Sequence, residues 1–459
     1  MTRISIDPIT RLEGHGKIEI FLDEQGDVAN CHFQVPELRG FEVFSVGRPV
    51  EEMPFLTSRI CGVCPEAHMM AAAKAGDAVY KVEVPPAGKK LRELLYMAFY
   101  VTDHTTHFYA LGGPDFVVGP DAPAAERNIL GVIAKVGLEI GGQVIACRKR
   151  NHHVIEMIGG RVVHPVAAIP GGMSHPITEE QRQEIIEIAR QNIEFGKFTI
   201  ALFHDVVLKN TGYVDLITST GYTQRTYSMG LVDANNHVNF YDGKVRVVDP
   251  DGKEFCKYAP HEYTQHIAER VEPWTYLKFP YLKNVGWKGF VDGKDSGVYS
   301  ATPLSRLNAA DGLSTPLAQA EYEVMYNTLG GKPVHHTLAI HWARVIELLY
   351  AAEHMLELAQ DPDVASRDIR ALPTAVPSEG VGIVEAPRGT LTHHYVTDER
   401  GIVTKANLIV GTTNNNAPIT ISIKRAAESL IKQGNVNDGI LNMIEMAFRA
   451  YDPCLSCAT

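Results

Sequence analysis

The sequence has little of what a membrane, an export route or a nucleic-acid partner would require. It holds no run of about 18 or more apolar residues, the least that spans a bilayer, so direct membrane insertion is not expected. The opening residues show no basic end, apolar stretch and small-residue cleavage site in succession, so export through the general secretory route is not expected. Lysine and arginine number 43 against 54 aspartates and glutamates, a formal charge of −11, and no basic run could neutralise a phosphate backbone. Nucleic acid is therefore not an expected partner. Cysteine is scarce as well. Seven in 459 residues are too few for a disulfide scaffold, and their odd number leaves one unpaired under any full pairing, so a reducing, cytoplasmic setting is expected.

What is present suits a large folded unit. The chain is 45% hydrophobic and 21% charged, enough to bury one very large core or two to three ordinary domains and too apolar to be mainly disordered. Alternation over Lys17–Leu22 and again from Val28 to Val35 predicts an N-terminal β-hairpin. Pro65 suits the first turn of a helix running to about Tyr80. Helical periodicity covers Gly88–Leu111 and about Ala124–Met157, and a third long helix follows Ile177, where Thr178 to Gln181 has the spacing of a capping box. These helices are expected to pack as a central bundle.

From about 211 to 300 the texture changes to short extended runs with Asp242-Gly243 and Asp251-Gly252 as hairpin turns, a peripheral β-rich excursion. Helices return over Pro316–Leu329 and His335–Gln360, Thr390–Val410 reads as a second hairpin around Asp398–Gly401, and the last helices run from about Ile419 to Tyr451. No internal repeat is visible. The reading is an α+β, mainly helical single domain over residues 1–459.

Cys31, Cys147 and Cys256 are isolated, whereas Cys61/Cys64 and Cys454/Cys457 form two CxxC pairs near opposite ends of the chain. Four thiolates are ligands for zinc, iron or nickel. A zinc ribbon closes a short loop, whereas this spacing would staple the ends of the fold together; a four-cysteine iron–sulfur cluster could do the same.

The residues around the pairs say more. The first reads Arg59-Ile60-Cys61-Gly62-Val63-Cys64-Pro65-Glu66-Ala67-His68, the second Asp452-Pro453-Cys454-Leu455-Ser456-Cys457, and Arg11-Leu12-Glu13-Gly14-His15 stands near the start. With Gly382-Ile383-Val384-Glu385-Ala386-Pro387-Arg388-Gly389, these motifs closely resemble the large subunit of nickel–iron hydrogenases over essentially the whole chain.

The resemblance implies heterolytic cleavage of dihydrogen at a Ni–Fe(CO)(CN)2 centre. Cys61 and Cys454 would be terminal nickel ligands, and Cys64 and Cys457 would bridge nickel and iron. Cys454 would be the first base and Glu13 the proton relay, a role that needs a carboxyl group within hydrogen-bond reach. Arg388 would face the open metal position, with Asp103 and Asp452 around it. His68 would reach back toward a bridging sulfur, the Thr412 hydroxyl would hydrogen-bond an iron-bound cyanide, and Pro387 would be a further cofactor-binding residue. A second, hard cation, Mg or Fe, would lie near Glu42 and a carbonyl near Leu408, completed by a histidine one position beyond Thr459, where this sequence stops. The other histidines, among them His104, His107, His335, His336, His341, His393 and His394, are expected to be structural.

With no further cysteine cluster for an electron wire, an iron–sulfur small subunit is implied as an obligate partner. The stretches Trp274–Lys283, Tyr395–Val403 and Ala450–Thr459 look most like the cytoplasmic bidirectional enzymes. That points to NAD(P), with ferredoxin as a second acceptor, and to diaphorase-type flavin and iron–sulfur partner subunits. Deazaflavin- or heterodisulfide-linked enzymes are the alternative acceptor types, and a non-catalytic respiratory subunit or a structural metal protein the alternative classes.

Overall fold

The computed structural model describes residues 2–38 and 40–459. The N-terminal hairpin is present as part of a three-stranded antiparallel sheet: β1 (Thr2–Ile6), β2 (Lys17–Leu22) and β3 (Val28–Gln34), with β2 in the middle. Its alternation buries Ile18, Ile20 and Leu22 against the body of the molecule.

Helix α1 (Pro65–Val79) begins at Pro65, whose missing N–H would have no partner in a first turn anyway. Helix α2 (Pro86–Thr106) follows and widens into a π-helical turn over His107–Gly112. The next periodic stretch is broken, contrary to the continuous helix expected from about 124 to 157. It forms α3 (Ile129–Val136), capped by the Asn128 side chain, and α4 (Leu138–Gly159). Between them Gly137 takes φ 98°, a conformation that ends a helix and that side chains resist. Helix α5 (Glu179–Phe203) has the expected capping box at Thr178 and Gln181.

The excursion begins with a two-turn helix, Thr211–Thr218, rather than a strand. Asn210 caps it, a local feature that the surrounding β texture masks. A four-stranded sheet follows, built from β4 (Tyr227–Val232), β5 (Lys244–Val248) and β6 (Glu254–Tyr258). Strands β7 (Ile267–Val271) and β8 (Lys278–Leu282) pair separately, and β9 (Tyr299–Ser300) joins β4 in parallel. Asp251-Gly252 lies in the β5–β6 turn as expected, whereas Asp242-Gly243 ends a longer β4–β5 loop that makes its own turn at Asp233.

Helices α6 (Pro303–Ala309), α7 (Pro316–Thr328) and α8 (Ile340–Gln360) come next. A three-stranded meander then forms from β10 (Glu379–Ala386), β11 (Gly389–Thr397) and β12 (Val403–Ile409). Helices α9 (Asn416–Leu430) and α10 (Asp438–Arg449) close the chain.

Helix α8 packs on α5 and α2, and α4 on α2 and α5, which makes the central bundle. One contiguous cluster of buried side chains runs from Ile6 to Ala458. Each fully buried leucine or isoleucine in it contributes about 1.5–3 kcal/mol. Among the described residues no helix is long and apolar enough to cross a membrane.

Candidate metal centre

The two CxxC loops meet at the N-terminal end of α1. Cys64 is the residue just before that helix, and the Cys61 sulfur accepts the Val63 and Cys64 amides at 3.2 and 3.4 Å. Across from it, α10 ends at Arg449, Asp452 takes φ 53°, and Cys454 opens a short helix, Leu455–Ala458. The Cys454 amide is fixed by the Thr412 hydroxyl oxygen at 3.0 Å.

The result is a tetrad. Sulfur contacts are 3.2 Å for Cys61–Cys454, 3.4 Å for Cys64–Cys457 and 2.9 Å for Cys454–Cys457, and all four sulfurs lie within 4.8 Å of one another, buried. So many thiols at hydrogen-bond distance cannot all ionise without a cation. Hydrogen bonds from Cys454, Cys457 and Cys64 pull Cys61 well below the usual thiol range, while burial pushes Cys454 and Cys457 well above it. A soft metal placed among them would relieve that conflict, so the residues present fit the group the sequence implies.

Glu13 reaches the tetrad by its backbone and its side chain. The Leu455 amide donates to the Glu13 carbonyl at 2.9 Å, and the Cys454 thiol meets Glu13 Oε2 at 2.9 Å. Ser456, which the sequence did not single out, holds the same carboxylate with its amide (3.1 Å) and its hydroxyl (2.5 Å). Arg11, at φ 57°, donates to the Leu111 carbonyl at 2.8 Å and to Asp115 at 2.5 Å. Arg449 of α10 shares Asp115 and also binds Glu445, whose carboxylate accepts from the Thr10 amide. The buried Arg11–Asp115–Arg449 cluster therefore holds the Glu13 segment in register with the second CxxC.

On another side stands Arg388, in the two-residue turn between β10 and β11. Its guanidinium donates to Asp103 at 3.2 Å and pairs with Asp452 at 3.0 Å, and it lies close enough to Cys64 and Cys454 to feel their charge. Burial pushes Asp452 up to about 7 against the pull of Arg388 and Arg344. Arg344, missed in the sequence, pairs with Asp452 at 3.5 Å, and its Nη1 also lies 3.5 Å from His104 Nδ1. His104 meets Glu347 at 2.9 Å, and Glu347 takes a bidentate pair from Arg306 at 2.7 Å each. Burial lowers His104 to about 4, and although burial opposes it, Arg306 brings Glu347 down to about 2. A signal was available: His341, Arg344 and Glu347 recur at helical spacing inside the otherwise apolar residues 340–352 of α8.

His68 lies on α1 with its Nδ1 3.1 Å from His393 Nε2, and His393 continues to the Tyr395 hydroxyl at 2.7 Å. His107 meets the Arg449 carbonyl at 2.9 Å and lies 4.0 Å from Asp452. Pro387 offers its carbonyl to Arg306 and Arg344, each at 3.1 Å. Glu42 and Leu408 come together beside a cavity of about 90 Å³ that Cys457 and Thr459 also line. There both Glu42 oxygens accept from the Lys278 ammonium at 3.0 Å, and one accepts from the Leu408 amide at 2.9 Å. A hard cation at that carboxylate would therefore have to displace a resident ammonium.

A buried four-thiolate site flanked by a carboxylate and a carboxylate-held arginine, on a helical bundle with a β-meander, defines a redox metalloenzyme subunit. The nickel-dependent hydrogenase family matches residues 39–132 and 295–459, and a HoxL-like family matches residues 3–38. This chain belongs to the nickel-dependent hydrogenases, as a catalytic large subunit carrying the Ni–Fe centre. It is 51% identical, over all of its length and 94% of the relative's, to an Archaeoglobus profundus protein named as an iron-sulfur subunit of F420-non-reducing hydrogenase. It is 38% identical, over all of its length and 94% of the relative's, to the NAD-reducing hydrogenase HoxS subunit beta of Cupriavidus necator. A crystal structure of an NAD+-reducing [NiFe]-hydrogenase in the H2-reduced state superposes with a TM-score of 0.94 at 36% identity, covering 100% of this chain and 99% of that one.

Proposed function

We propose that Cys61 and Cys454 are the terminal nickel ligands, that Cys64 and Cys457 bridge to iron, and that Glu13 is the first carboxylate of the proton path. Bound here, the metal pair with its carbonyl and cyanide ligands supplies an open position that polarises dihydrogen and accepts its electrons. The rest falls to the chain. The Cys454 sulfur takes one proton and passes it 2.9 Å to Glu13 Oε2, with Ser456 fixing the carboxyl group for the transfer. Arg388, anchored by Asp103 and Asp452, brings a permanent cation to the same face. The Thr412 hydroxyl would hydrogen-bond a cyanide ligand, Pro387 would line the bound group, and His68 would support a bridging sulfur. The Cys454–Glu13 contact carries this reading.

A Glu13→Gln variant tests it. H2/D+ exchange should fall sharply while nickel content stays full, and unchanged exchange removes Glu13 from the mechanism. An infrared spectrum of the loaded protein should show one carbonyl and two cyanide bands; their absence with full nickel and iron overturns the centre itself.

Electrons leave, in this reading, through an iron–sulfur small subunit, the whole chain acting as one domain in a cytoplasmic complex. Diaphorase-type subunits then carry them to NAD(P), as the likeness to the NAD+-reducing structure supports. A second reading is favoured by the higher identity to proteins named F420-non-reducing: the same chemistry serving another acceptor, such as a heterodisulfide. Assay of the purified complex with H2 and NAD+, NADP+ or a heterodisulfide decides between them.

A further inference from the structure

The turn that carries Arg388 is held unusually tightly. Strands β10 and β11 pair up to Ala386 and Gly389, so the chain reverses over Pro387 and Arg388 alone. Four successive carbonyls of this turn accept from buried side chains. Glu385 O takes the Tyr96 and Tyr100 hydroxyls at 2.5 and 2.7 Å, and Ala386 O takes Arg306 Nη1 at 2.9 Å. Pro387 O takes Arg306 Nη2 and Arg344 Nη1 at 3.1 Å each, and Arg388 O takes the Asn415 amide at 2.7 Å.

Arg344 differs from the other donors because it also reaches the C-terminal half of the site. From α8, fully buried, it donates to the Ala450 carbonyl at 3.3 Å and pairs with Asp452 at 3.5 Å. Its fork therefore touches the turn bearing Arg388 and the turn bearing Asp452. Asp452 sits at φ 53°, a conformation a non-glycine residue keeps only when its surroundings impose it. Behind Arg344, the His104–Glu347–Arg306 chain joins it to the second guanidinium on Pro387 O.

We propose that Arg344 is a positioning residue for hydrogen activation, setting the registry of Arg388 against Asp452 by holding the Pro387 carbonyl and the Asp452 turn with one rigid guanidinium. A lysine brings a charge but no fork, and cannot hold diverging acceptors at once. The proposal rests on the role of Arg388 at the open metal position.

The test uses the holoenzyme complex with R344M, R344K and R388K. R344M should lose kcat by roughly tenfold to a hundredfold, the scale of a small misplacement of reacting groups, with KM for H2 little changed. R344K should recover part of that loss. Both should shift the cyanide infrared bands, because Pro387 moves, at full nickel content. Wild-type kcat and unshifted bands in nickel-replete R344M overturn the proposal. Should R344M fail to take up nickel, R344K decides alone, since full turnover with unshifted bands is incompatible with a fork requirement. R388K separates the two readings: if only R344K turns over normally, the positioning proposal falls, and if R388K does so too, the role of Arg388 falls with it.

Discussion

Ser456 illustrates how much of the site's chemistry rests on contacts between segments far apart in the chain, which a sequence pattern does not reveal. Its hydroxyl and amide both hold Glu13, so the carboxylate is oriented before any proton reaches it. Ser456→Ala removes the hydroxyl but leaves the amide contact. A net hydrogen bond to a charged group contributes about 1.5–3 kcal/mol, and the surviving contact offsets part of the loss. H2/D+ exchange should fall by roughly tenfold at unchanged nickel content; exchange at the wild-type rate would show that Ser456 does not set the carboxylate. Glu13 itself was legible, because Arg11-Leu12-Glu13-Gly14-His15 matches a known pattern. Ser456 was not, because a serine in a CxxC spacer has no chemical signature until the fold brings Glu13 to it. Arg344 and Glu347 lie between these cases, visible as charges in an apolar helix but without a destination.

Among the elements, α1 packs backbone to backbone against β10 behind the site, and glycine makes that approach possible. A Cβ on Gly382 would overlap the Ala71 carbonyl oxygen and the Ala75 amide, and one on Gly380 would overlap the Ala75 carbonyl oxygen and the Val79 amide. Helix α1 starts at the first CxxC and β10 leads to Arg388, so this contact sets their spacing. Gly382→Ala should destabilise the protein by about 3 kcal/mol, the upper end for overpacking since backbone must move, and lower nickel incorporation. An unchanged melting temperature and nickel content would mean that the two elements can slide apart freely.

The α2–α8 contact carries a pH dependence instead. Burial disfavours charge on His354, yet Glu357 at 3.0 Å and Glu93 at 3.7 Å raise it to about 9. A raised folded value stabilises fully below the unfolded value of about 6.5 and is lost as pH climbs through about 9. With Glu357 half-exposed, the loss should be about 1–2 kcal/mol, and His354→Gln should flatten that part of the stability curve. A wild-type curve already flat over this range would exclude the clamp. Both contacts escaped the sequence, since periodicity located the helices but said nothing of which faces meet. Likewise it ran α3 into α4, because one glycine with an unusual φ leaves the apolar spacing on either side intact.

Across the whole molecule, the site is the place where the two ends of the chain are tied. The Cys61–Cys454 and Cys64–Cys457 contacts, the Glu13–Leu455 backbone bond and the Arg11–Asp115–Arg449 cluster all join early segments to the last ones. The bundle of α2, α4, α5 and α8 packs chiefly helix on helix, although its buried side chains are continuous with those of the tied ends. Metal bound by four thiolates should therefore stabilise the molecule locally, since a ligand adds stability only to what must be formed to bind it. Hydrogen exchange on metal-free and metal-loaded protein tests this. Removal of the metal should speed exchange at residues 8–16, 60–65 and 452–459 by roughly tenfold or more, while the bundle amides keep their protection. Loss of protection throughout the bundle would instead make the metal a condition of the entire fold, and would mean that the thiolates hold together far more than the two loops that bear them.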